Sequence, residues 1–201
     1  MTIAKTIKIV LLGDSGVGKT SIAQRFANNT FNENNSGTIG ASFISKIINI
    51  PNSDKSIKFQ IWDTAGQEKY RSLASMYYKD SNAAIIVYDI TKINSFEGMK
   101  FWVNELKNNI SDDNYQIAIA ANKSDLIEKE EVTLASGKAY ADSITAIFKQ
   151  TSAKENLGID DLFDTISEKL GPATDSIPSE LNKEKLKTKN NSNSSKNSSC
   201  C

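Results

Sequence analysis

The chain has 201 residues, with 24 basic and 24 acidic side chains, two cysteines and no histidine. This length suits a single globular domain. The lack of histidine excludes His-based catalytic triads and His-ligated metal sites. The vicinal pair Cys200 and Cys201 cannot staple a fold. Residues 171–201 carry a net charge of +2 and the remainder −2, so we expect no nucleic-acid binding. With no signal peptide or membrane-spanning apolar run, we expect a cytosolic chain.

The first strand leads directly into a glycine-rich loop. Residues 5–12 form an apolar run that predicts a buried parallel strand. The segment 13–20 follows with the pattern Gly, four residues, Gly-Lys-Thr. Its glycines let backbone N–H groups surround an anion, and the helix predicted over residues 19–27 points its positive end at the same place. We therefore predict a phosphate-binding loop, in which Lys19 contacts the β and γ phosphates and the Thr20 hydroxyl ligates Mg²⁺.

The rest of the chain alternates between strand and helix patterns. Residues 28–40 are rich in Asn and Gly and predict a long exposed loop. The later elements predicted are strands at 41–50 and 56–62, a short helix ending at 79, a strand at 83–88, a helix opened by Ser95 and ending at 110, a strand at 117–121, a helix at 132–142, a strand at 146–148 and a helix at 158–170. This order predicts an α/β fold, with a mostly parallel six-stranded sheet, helices on both faces and a hairpin at one edge.

Two further patterns bear on the organisation of the domain. Apolar residues at helical spacing in the third predicted helix, from Phe96 to Leu106, predict core packing rather than cofactor contacts. From Gly171 onward Asn, Ser, Lys and Thr dominate, which predicts a flexible tail. We therefore expect a folded domain over residues 1–170 and a tail over residues 171–201.

Polar residues follow the predicted strands where a phosphate-binding fold places its ligand. Thr38, in the exposed loop, could offer Mg²⁺ a second hydroxyl and sense the γ-phosphate. Asp63 directly follows its predicted strand and could hold a metal-bound water, and the Gly66 N–H could contact the γ-phosphate. Gln67 could orient the water that attacks the γ-phosphoryl in line. These residues predict hydrolysis of a nucleoside triphosphate without a covalent intermediate.

The base is predicted to be guanine. The Asp125 carboxylate can accept both N1–H and the N2 amino group of guanine, a pair of donors that adenine lacks. Segment 151–154 can supply backbone N–H groups to guanine O6, and the Lys123 stem and Phe31 can sandwich the ring. The predicted nucleotide-binding residues are Asp14, Ser15, Gly16, Val17, Gly18, Lys19, Thr20, Ser21, Phe31, Thr38, Asp63, Gly66, Asn122, Lys123, Asp125, Ser152, Ala153 and Lys154, with Gln67 as the catalytic residue and Thr20, Thr38 and, through water, Asp63 as metal ligands.

In this order the motifs resemble those of the small GTPases of the Ras superfamily, which have a P-loop NTPase fold, over residues 5–170. Within it, the segment 61–68, the run 76–78 and the terminal Cys200-Cys201 are similar to the Rab family. The segments 38–43, 72–78 and 102–106 resemble its early-endosomal branch. The resemblance implies that Phe43, Trp62 and Tyr77 form an aromatic patch read by effectors, and a core-only role for them is the alternative.

The resemblance also implies a function and partners. It implies a monomeric GTP-binding and GTP-hydrolysing switch of vesicle traffic in early endocytic transport, with Mg²⁺ as cofactor. Implied partners are a GEF, a GAP, a GDP-dissociation inhibitor, a Rab escort protein and effectors. Cys200 and Cys201 would carry two prenyl groups that hold the protein on the cytoplasmic face of early endosomes, with a cytosolic pool bound to the inhibitor. The alternatives are a GTP-dependent scaffold with little turnover, or a Rab of another compartment.

Overall fold

A computed structural model describes residues 2–33, 37–50, 53–66 and 71–171, with only the backbone described at 71–73. The predicted Gln67, Cys200 and Cys201 lie outside these ranges. Within them, no helix combines the length and apolar character needed to cross a bilayer.

The described chain forms a six-stranded sheet with five α-helices. Strand order is β2-β3-β1-β4-β5-β6, and only the β2–β3 pair is antiparallel. The α/β prediction with an edge hairpin is therefore confirmed. In chain order the elements are β1 (Thr2–Leu12), α1 (Lys19–Asn28), β2 (Ala41–Asn49), β3 (Lys55–Thr64), α2 (Arg71–Tyr78), β4 (Ala83–Asp89), α3 (Ile93–Asn109), β5 (Gln116–Asn122), a 3-10 helix (Ser124–Lys129), α4 (Leu134–Ser143), β6 (Ile147–Gln150) and α5 (Ile159–Leu170).

The sheet separates two hydrophobic cores. One contains α1 and α5 and is centred on Phe26 and Phe163, whose rings stack 3.6 Å apart. The other contains α2, α3 and α4. Successive residues of β1 point to opposite faces, so Ile9 enters the first core and Val10 the second. Burial of apolar side chains on both faces fixes β1 at the centre of the sheet, with the loop that follows it at the sheet's carboxyl edge.

Some predicted boundaries differ from the structure. β1 begins at Thr2 because its exposed first residues still pair with β3. Ser95 was predicted to open α3, but the helix begins at Ile93. Ser95 is buried, and its hydroxyl accepts a hydrogen bond from the Asp89 amide and donates to backbone oxygen. The predicted inward residues of α3 are confirmed, since Phe96, Met99, Trp102, Val103 and Leu106 are all buried.

Candidate nucleotide-binding site

The glycine-rich loop lies between β1 and α1. Gly13, Gly16 and Gly18 have φ angles of 133°, 79° and 100°, in the region that favours glycine. A Cβ at Gly13 would collide with the Val87 carbonyl oxygen, and one at Gly18 with the Asn122 side chain. The loop borders a cavity of about 450 Å³ that segments following α1, β3, β5 and β6 also line. The segments predicted to hold one nucleotide therefore meet at one place.

Lys19 lies at the bottom of this cavity and is 5% exposed. Its ammonium donates to the carbonyl oxygens of Gly13 and Asp14, both at 2.8 Å. Burial lowers the pKa of Lys19 to about 8, and the nearby carboxylates of Asp63 and Asp14 oppose that shift. An ammonium has three donors, so one remains for an anion in the cavity. Gly66 lines the same wall, where a Cβ would collide with the Lys19 ammonium.

Oxygen atoms from three segments converge beside Lys19. The Thr20 hydroxyl donates to Asp63 Oδ2 at 2.6 Å and lies 2.8 Å from the Thr38 hydroxyl. Thr38 and Ser42 also donate to Asp63 Oδ2, at 3.4 and 3.5 Å. Burial raises the pKa of Asp63, against the hydrogen bonds from Thr20 and Thr38 and the charge of Lys19. Thr38 therefore contacts the other two predicted metal ligands directly.

The oxygen atoms of Thr20, Thr38 and Asp63 are suited to binding a hard cation. Asp63 is fully buried, and its second carboxylate oxygen, Oδ1, has no hydrogen-bond partner among the described residues. A buried carboxylate oxygen without a partner is costly unless something binds it. Hydroxyl and carboxylate oxygens are the ligands that Mg²⁺ prefers, directly or through water. The donor set at Thr20, Thr38 and Asp63 therefore fits Mg²⁺.

The far end of the cavity is built from the segments after β5 and β6. Asp125 is exposed at the cavity wall, and its Oδ1 accepts a 2.6 Å hydrogen bond from the buried Ser152 hydroxyl. Asn122 is buried, donates to the Val17 carbonyl at 2.8 Å and accepts from the Thr151 hydroxyl at 3.2 Å. Asn122 therefore joins the glycine-rich loop to the far end of the cavity, and Ser152 orients Asp125.

The structure distinguishes residues that line the cavity from residues behind it. The Thr151 amide donates to Ala121 O and the Ser152 amide to Leu157 O. Among the predicted donors to guanine O6, the amides of Ala153 and Lys154 are therefore the candidates. Phe31 and Lys123 line the cavity, as the predicted sandwich requires. Of the described residues predicted to bind nucleotide, those that do not line it are Asp14, Val17, Asp63 and Ser152.

Two contacts of the cavity wall were missed by sequence reasoning. Lys123 Nζ pairs with the buried Asp89 carboxylate at 2.6 Å. Burial opposes ionisation of Asp89, but the hydrogen bonds from Lys123 and Thr91 outweigh it and lower its pKa. Lys154 Nζ pairs with Glu33 at 2.9 Å, across the mouth of the cavity. A polar residue at the carboxyl end of β4 is a signal that could have identified Asp89; nothing in the sequence marks Glu33.

The predicted aromatic patch is a continuous cluster on the surface. Ring centroids lie 5.1 Å apart for Phe43 and Trp62 and 5.2 Å apart for Trp62 and Tyr77. Phe43 is 49% exposed, and the other two are partly buried. The three rings are therefore in contact with one another, and Phe43 makes one edge of the cluster accessible. A role in core packing alone does not explain the exposure of Phe43.

Comparison with known proteins agrees with this site. The model of the Ras family matches residues 8–171. The chain is 51% identical to human Ras-related protein Rab-22A, covering 87% of this chain and 89% of that protein. It is also 51% identical to mouse Ras-related protein Rab-31, over 86% and 87%, and 44% identical to GTP-binding protein YPT52 of Saccharomyces cerevisiae, over 81% of each. The chain therefore belongs to the Ras family, and within it to the Rab GTPases, where it resembles the early-endosomal branch.

Proposed function

We propose that this chain is a GTP-binding and GTP-hydrolysing switch of vesicle traffic, acting in early endocytic transport. The observation that carries the proposal is the cavity between the strand ends, with a buried ammonium at one end and the Asp125 carboxylate at the other. The ammonium suits the phosphates, and the carboxylate suits the paired donors of guanine. A single nucleoside polyphosphate spans both groups.

The reaction assigned to the site is attack of water on the γ-phosphoryl group of GTP. Lys19 and the backbone N–H groups of the loop stabilise the charge that develops on the phosphate oxygens. The Gly66 N–H lies where it can contact the same group, since Gly66 approaches Lys19 closely. Gln67 follows directly in the sequence and is proposed to position the attacking water.

Ras-family GTPases use Mg²⁺ with GTP. In this chain we assign Thr20, Thr38 and, through water, Asp63 as the residues that hold it, because their oxygens converge. When bound, the ion would neutralise charge on the β and γ phosphates. Thr38 lies at the end of the loop after α1, so its contact with Thr20 gives this segment a way to respond to the γ-phosphate.

Hydrolysis is expected to be slow without a partner. The chain has two arginines. Arg25 is engaged with backbone carbonyls of the loop after β6, and Arg71 follows Gln67 by four positions. An arginine finger would therefore come from a GAP, which would supply roughly 10⁵-fold in rate.

The division of the chain and its membrane attachment belong to the same proposal. Residues 1–170 form the GTPase domain, and residues 171–201 form a tail that ends in Cys200 and Cys201. Two prenyl groups on these cysteines would hold the protein stably on endosomal membranes, whereas a single chain anchors only marginally. A GDP-dissociation inhibitor and a Rab escort protein would handle the lipidated tail, and effectors would read the aromatic patch. Incorporation of radiolabelled isoprenoid into the parent, and its loss in the double Cys→Ser variant, tests the attachment.

A GTP-dependent scaffold without turnover is the other function that such a cavity could serve. The two are separated by titrating GDP, GTP and ATP into the protein in a calorimeter and then measuring single-turnover GTP hydrolysis, with and without a GAP, for the parent and Gln67→Leu. We expect binding of GDP and GTP but not ATP, and hydrolysis that Gln67→Leu slows. Equal binding of ATP would overturn the proposed site, and equal hydrolysis by both proteins would overturn the role of Gln67.

A further inference from the structure

Arg25 connects α1 to the loop that follows β6. Its Nε donates to the Ala153 carbonyl at 2.9 Å and its Nη2 to the Lys154 carbonyl at 3.1 Å. Ala153 and Lys154 line the nucleotide cavity, whereas Arg25 lines a separate surface cavity of about 390 Å³. The guanidinium therefore holds the loop from the side opposite the nucleotide and does not line the nucleotide cavity.

The loop itself is closed at its base. Ser152 and Leu157 exchange two backbone hydrogen bonds, both of 3.0 Å. The one accepted by the Ser152 carbonyl fixes the peptide group that carries the Ala153 amide. The tip beyond it has no such strand partner, and there the carbonyls of Ala153 and Lys154 are held by Arg25. The two candidate donors to guanine O6 are thus fixed by different parts of the molecule.

Because a peptide group is planar, the hydrogen bond from Arg25 to the Ala153 carbonyl also fixes the direction of the Lys154 N–H. In a trans peptide the N–H points away from the C=O of the same plane. Because Arg25 holds the Ala153 carbonyl, the Lys154 amide of that plane is directed away from Arg25, towards the side that faces the nucleotide cavity. We infer that Arg25 is a positioning residue for guanine recognition, which orients the Lys154 amide towards O6 of the base. This rests on the proposed function, since it needs guanine at this end of the cavity.

The neighbouring peptide is held in the same way. Arg25 binds the Lys154 carbonyl, and the Glu155 amide of that plane donates to the Ser152 hydroxyl at 3.1 Å. The Ser152 hydroxyl itself donates to Asp125. Since the Ser152–Asp125 bond does not involve the guanidinium, Asp125 keeps its partner when Arg25 is changed. The effect of Arg25 should therefore fall mainly on O6 and little on the N1 and N2 groups that Asp125 reads.

The other end of the guanidinium explains why arginine is needed. Nη1 donates to the carbonyl and the side-chain oxygen of Asn29, at 2.9 and 3.1 Å, where α1 ends. A planar fork with donors in three directions reaches both Asn29 and the loop. A lysine at this position keeps the charge but provides one compact donor group, which cannot hold two carbonyls in a fixed plane.

The test compares three nucleotides that differ only in the base. GDP and inosine diphosphate carry O6 and N1–H, and 2-aminopurine riboside diphosphate lacks both. Because Asp125, which reads N1–H, keeps its partner Ser152 in the variant, a loss confined to the first two nucleotides reports on O6. Relative affinities are measured by competition against a fluorescent GDP derivative for the parent and Arg25→Lys. We expect about a fivefold loss for GDP and inosine diphosphate, the value of one net hydrogen bond, and less than a twofold change for the 2-aminopurine nucleotide. An equal loss for all three nucleotides would overturn the inference, as would no loss for GDP.

A matched variant and a stability measurement separate positioning from folding. Asn29→Gly removes a side-chain contact of Nη1, leaves the two bonds to the loop and suits the left-handed φ of 56° at Asn29. We expect it to keep the parent's preference among the three nucleotides. If Arg25→Lys does not fold, Arg25→Gln replaces it, and its thermal midpoint is measured to show that it is folded. If the parent protein does not prefer GDP over the 2-aminopurine nucleotide, the proposed site itself is contradicted. If the parent has this preference and the folded variant keeps it unchanged, only the role of Arg25 is contradicted.

Discussion

The guanine end and the phosphate end of the cavity differ in how far their buried charges are compensated. Asp89 pairs with Lys123 and its pKa is lowered, whereas burial shifts the pKa values of Lys19 and Asp63 towards their neutral forms. At the guanine end, hydrogen bonds between distant segments fix the wall: Asn122 to Val17 at 2.8 Å, and Ser152 to Asp125 at 2.6 Å. At the phosphate end, two buried groups of opposite charge lie close together. Burial lowers the pKa of Lys19 to about 8 and raises that of Asp63, so both charges are costly there.

This difference assigns separate tasks to the two ends. A wall fixed by hydrogen bonds is pre-organised, and it rejects a base that leaves its polar groups unpaired. At the phosphate end, a bound polyphosphate and cation would offset the cost of burying the charges of Lys19 and Asp63. Nucleotide affinity at this end should therefore depend on the number of phosphates. Substitutions of residues that pair with the base should therefore change which nucleotide binds. Substitutions at the phosphate end should change how tightly it binds and whether GTP or GDP is preferred.

The largest effect is expected for Asp125→Asn. An amide cannot accept from both N1–H and the N2 amino group of guanine, but it can pair with xanthine, which has a carbonyl in place of the amino group. We expect GDP affinity to fall by about 10³-fold or more and the variant to prefer xanthosine diphosphate. Competition binding with both nucleotides measures this. Asp142→Asn, on the exposed face of α4, is the control. An equal loss of affinity for both nucleotides would contradict the assignment of base recognition to Asp125.

A smaller effect, of about tenfold, is expected for Thr20→Asn. This change removes the hydroxyl that bonds both Thr38 and Asp63, and with it a proposed Mg²⁺ ligand. We expect GTP to be weakened more than GDP, because Mg²⁺ held there would neutralise charge on the γ-phosphate, which GDP lacks. Dissociation rates of both nucleotides are measured with Mg²⁺ and with EDTA. The difference between parent and variant should disappear in EDTA, and a difference that persists there would count against the metal assignment.

A several-fold effect is expected for Asp89→Asn. The amide keeps an oxygen for Thr91, whose amide and hydroxyl donate to Asp89 Oδ1 at 3.0 and 2.7 Å, but it loses the charge that holds Lys123. The Lys123 stem should then pack less firmly on the base, and GDP should dissociate faster, by less than about tenfold. Stopped-flow release of a fluorescent GDP derivative measures this. An unchanged release rate would mean that Asp89 has no part in holding the base.

The same variant has a pH dependence with a definite sign. Burial opposes ionisation of Asp89, but its hydrogen bonds from Lys123 and Thr91 prevail, so its pKa is lowered. A lowered carboxyl pKa stabilises the fold above the unfolded value of about 4 and ceases to do so as pH falls through the folded value. The thermal midpoint of the parent should therefore exceed that of Asp89→Asn at neutral pH, and the gap should narrow below pH ~4. A gap of constant size across this range would contradict the assignment.

The sequence predicts those parts of the site that depend on local pattern. Glycine spacing and strand periodicity predict the phosphate-binding loop, because the backbone there needs left-handed φ angles and a buried strand before it. The 3-10 helix Ser124–Lys129 was not predicted. It begins after Lys123, at a φ of 64°, and is too short to show a hydrophobic period. Turns of this kind are determined by the positions of the neighbouring strands and not by a local sequence pattern.

Contacts between segments far apart in the chain could not be predicted. The hydrogen bond from Arg25 to Ala153 joins residues 128 positions apart, and nothing near Arg25 in the sequence distinguishes it from a surface arginine. The pair Asp89 and Lys123 depends on β4 and β5 lying side by side. By contrast, the convergence of Thr20 and Asp63 could be predicted. Thr20 belongs to the motif after β1 and Asp63 lies at the carboxyl end of β3, and the chemistry of the motif requires the two to meet.

The smallest effect is expected for the one ion pair that the described residues form between the segment after α1 and the loop that follows β6. Glu33 and Lys154 lie 2.9 Å apart, with side chains 67% and 49% exposed, and the hydrogen bond that Lys154 donates to Glu33 raises the pKa of Lys154. Exposed pairs of this kind contribute little, so Glu33→Gln should speed GDP release by less than about threefold. The Lys154→Gln and double variants should show the same rate as Glu33→Gln, and 1 M salt should abolish the difference by screening. Additive effects of the two changes would mean that the residues act separately on the nucleotide, and that this ion pair does not link the segment after α1 to segment 151–154.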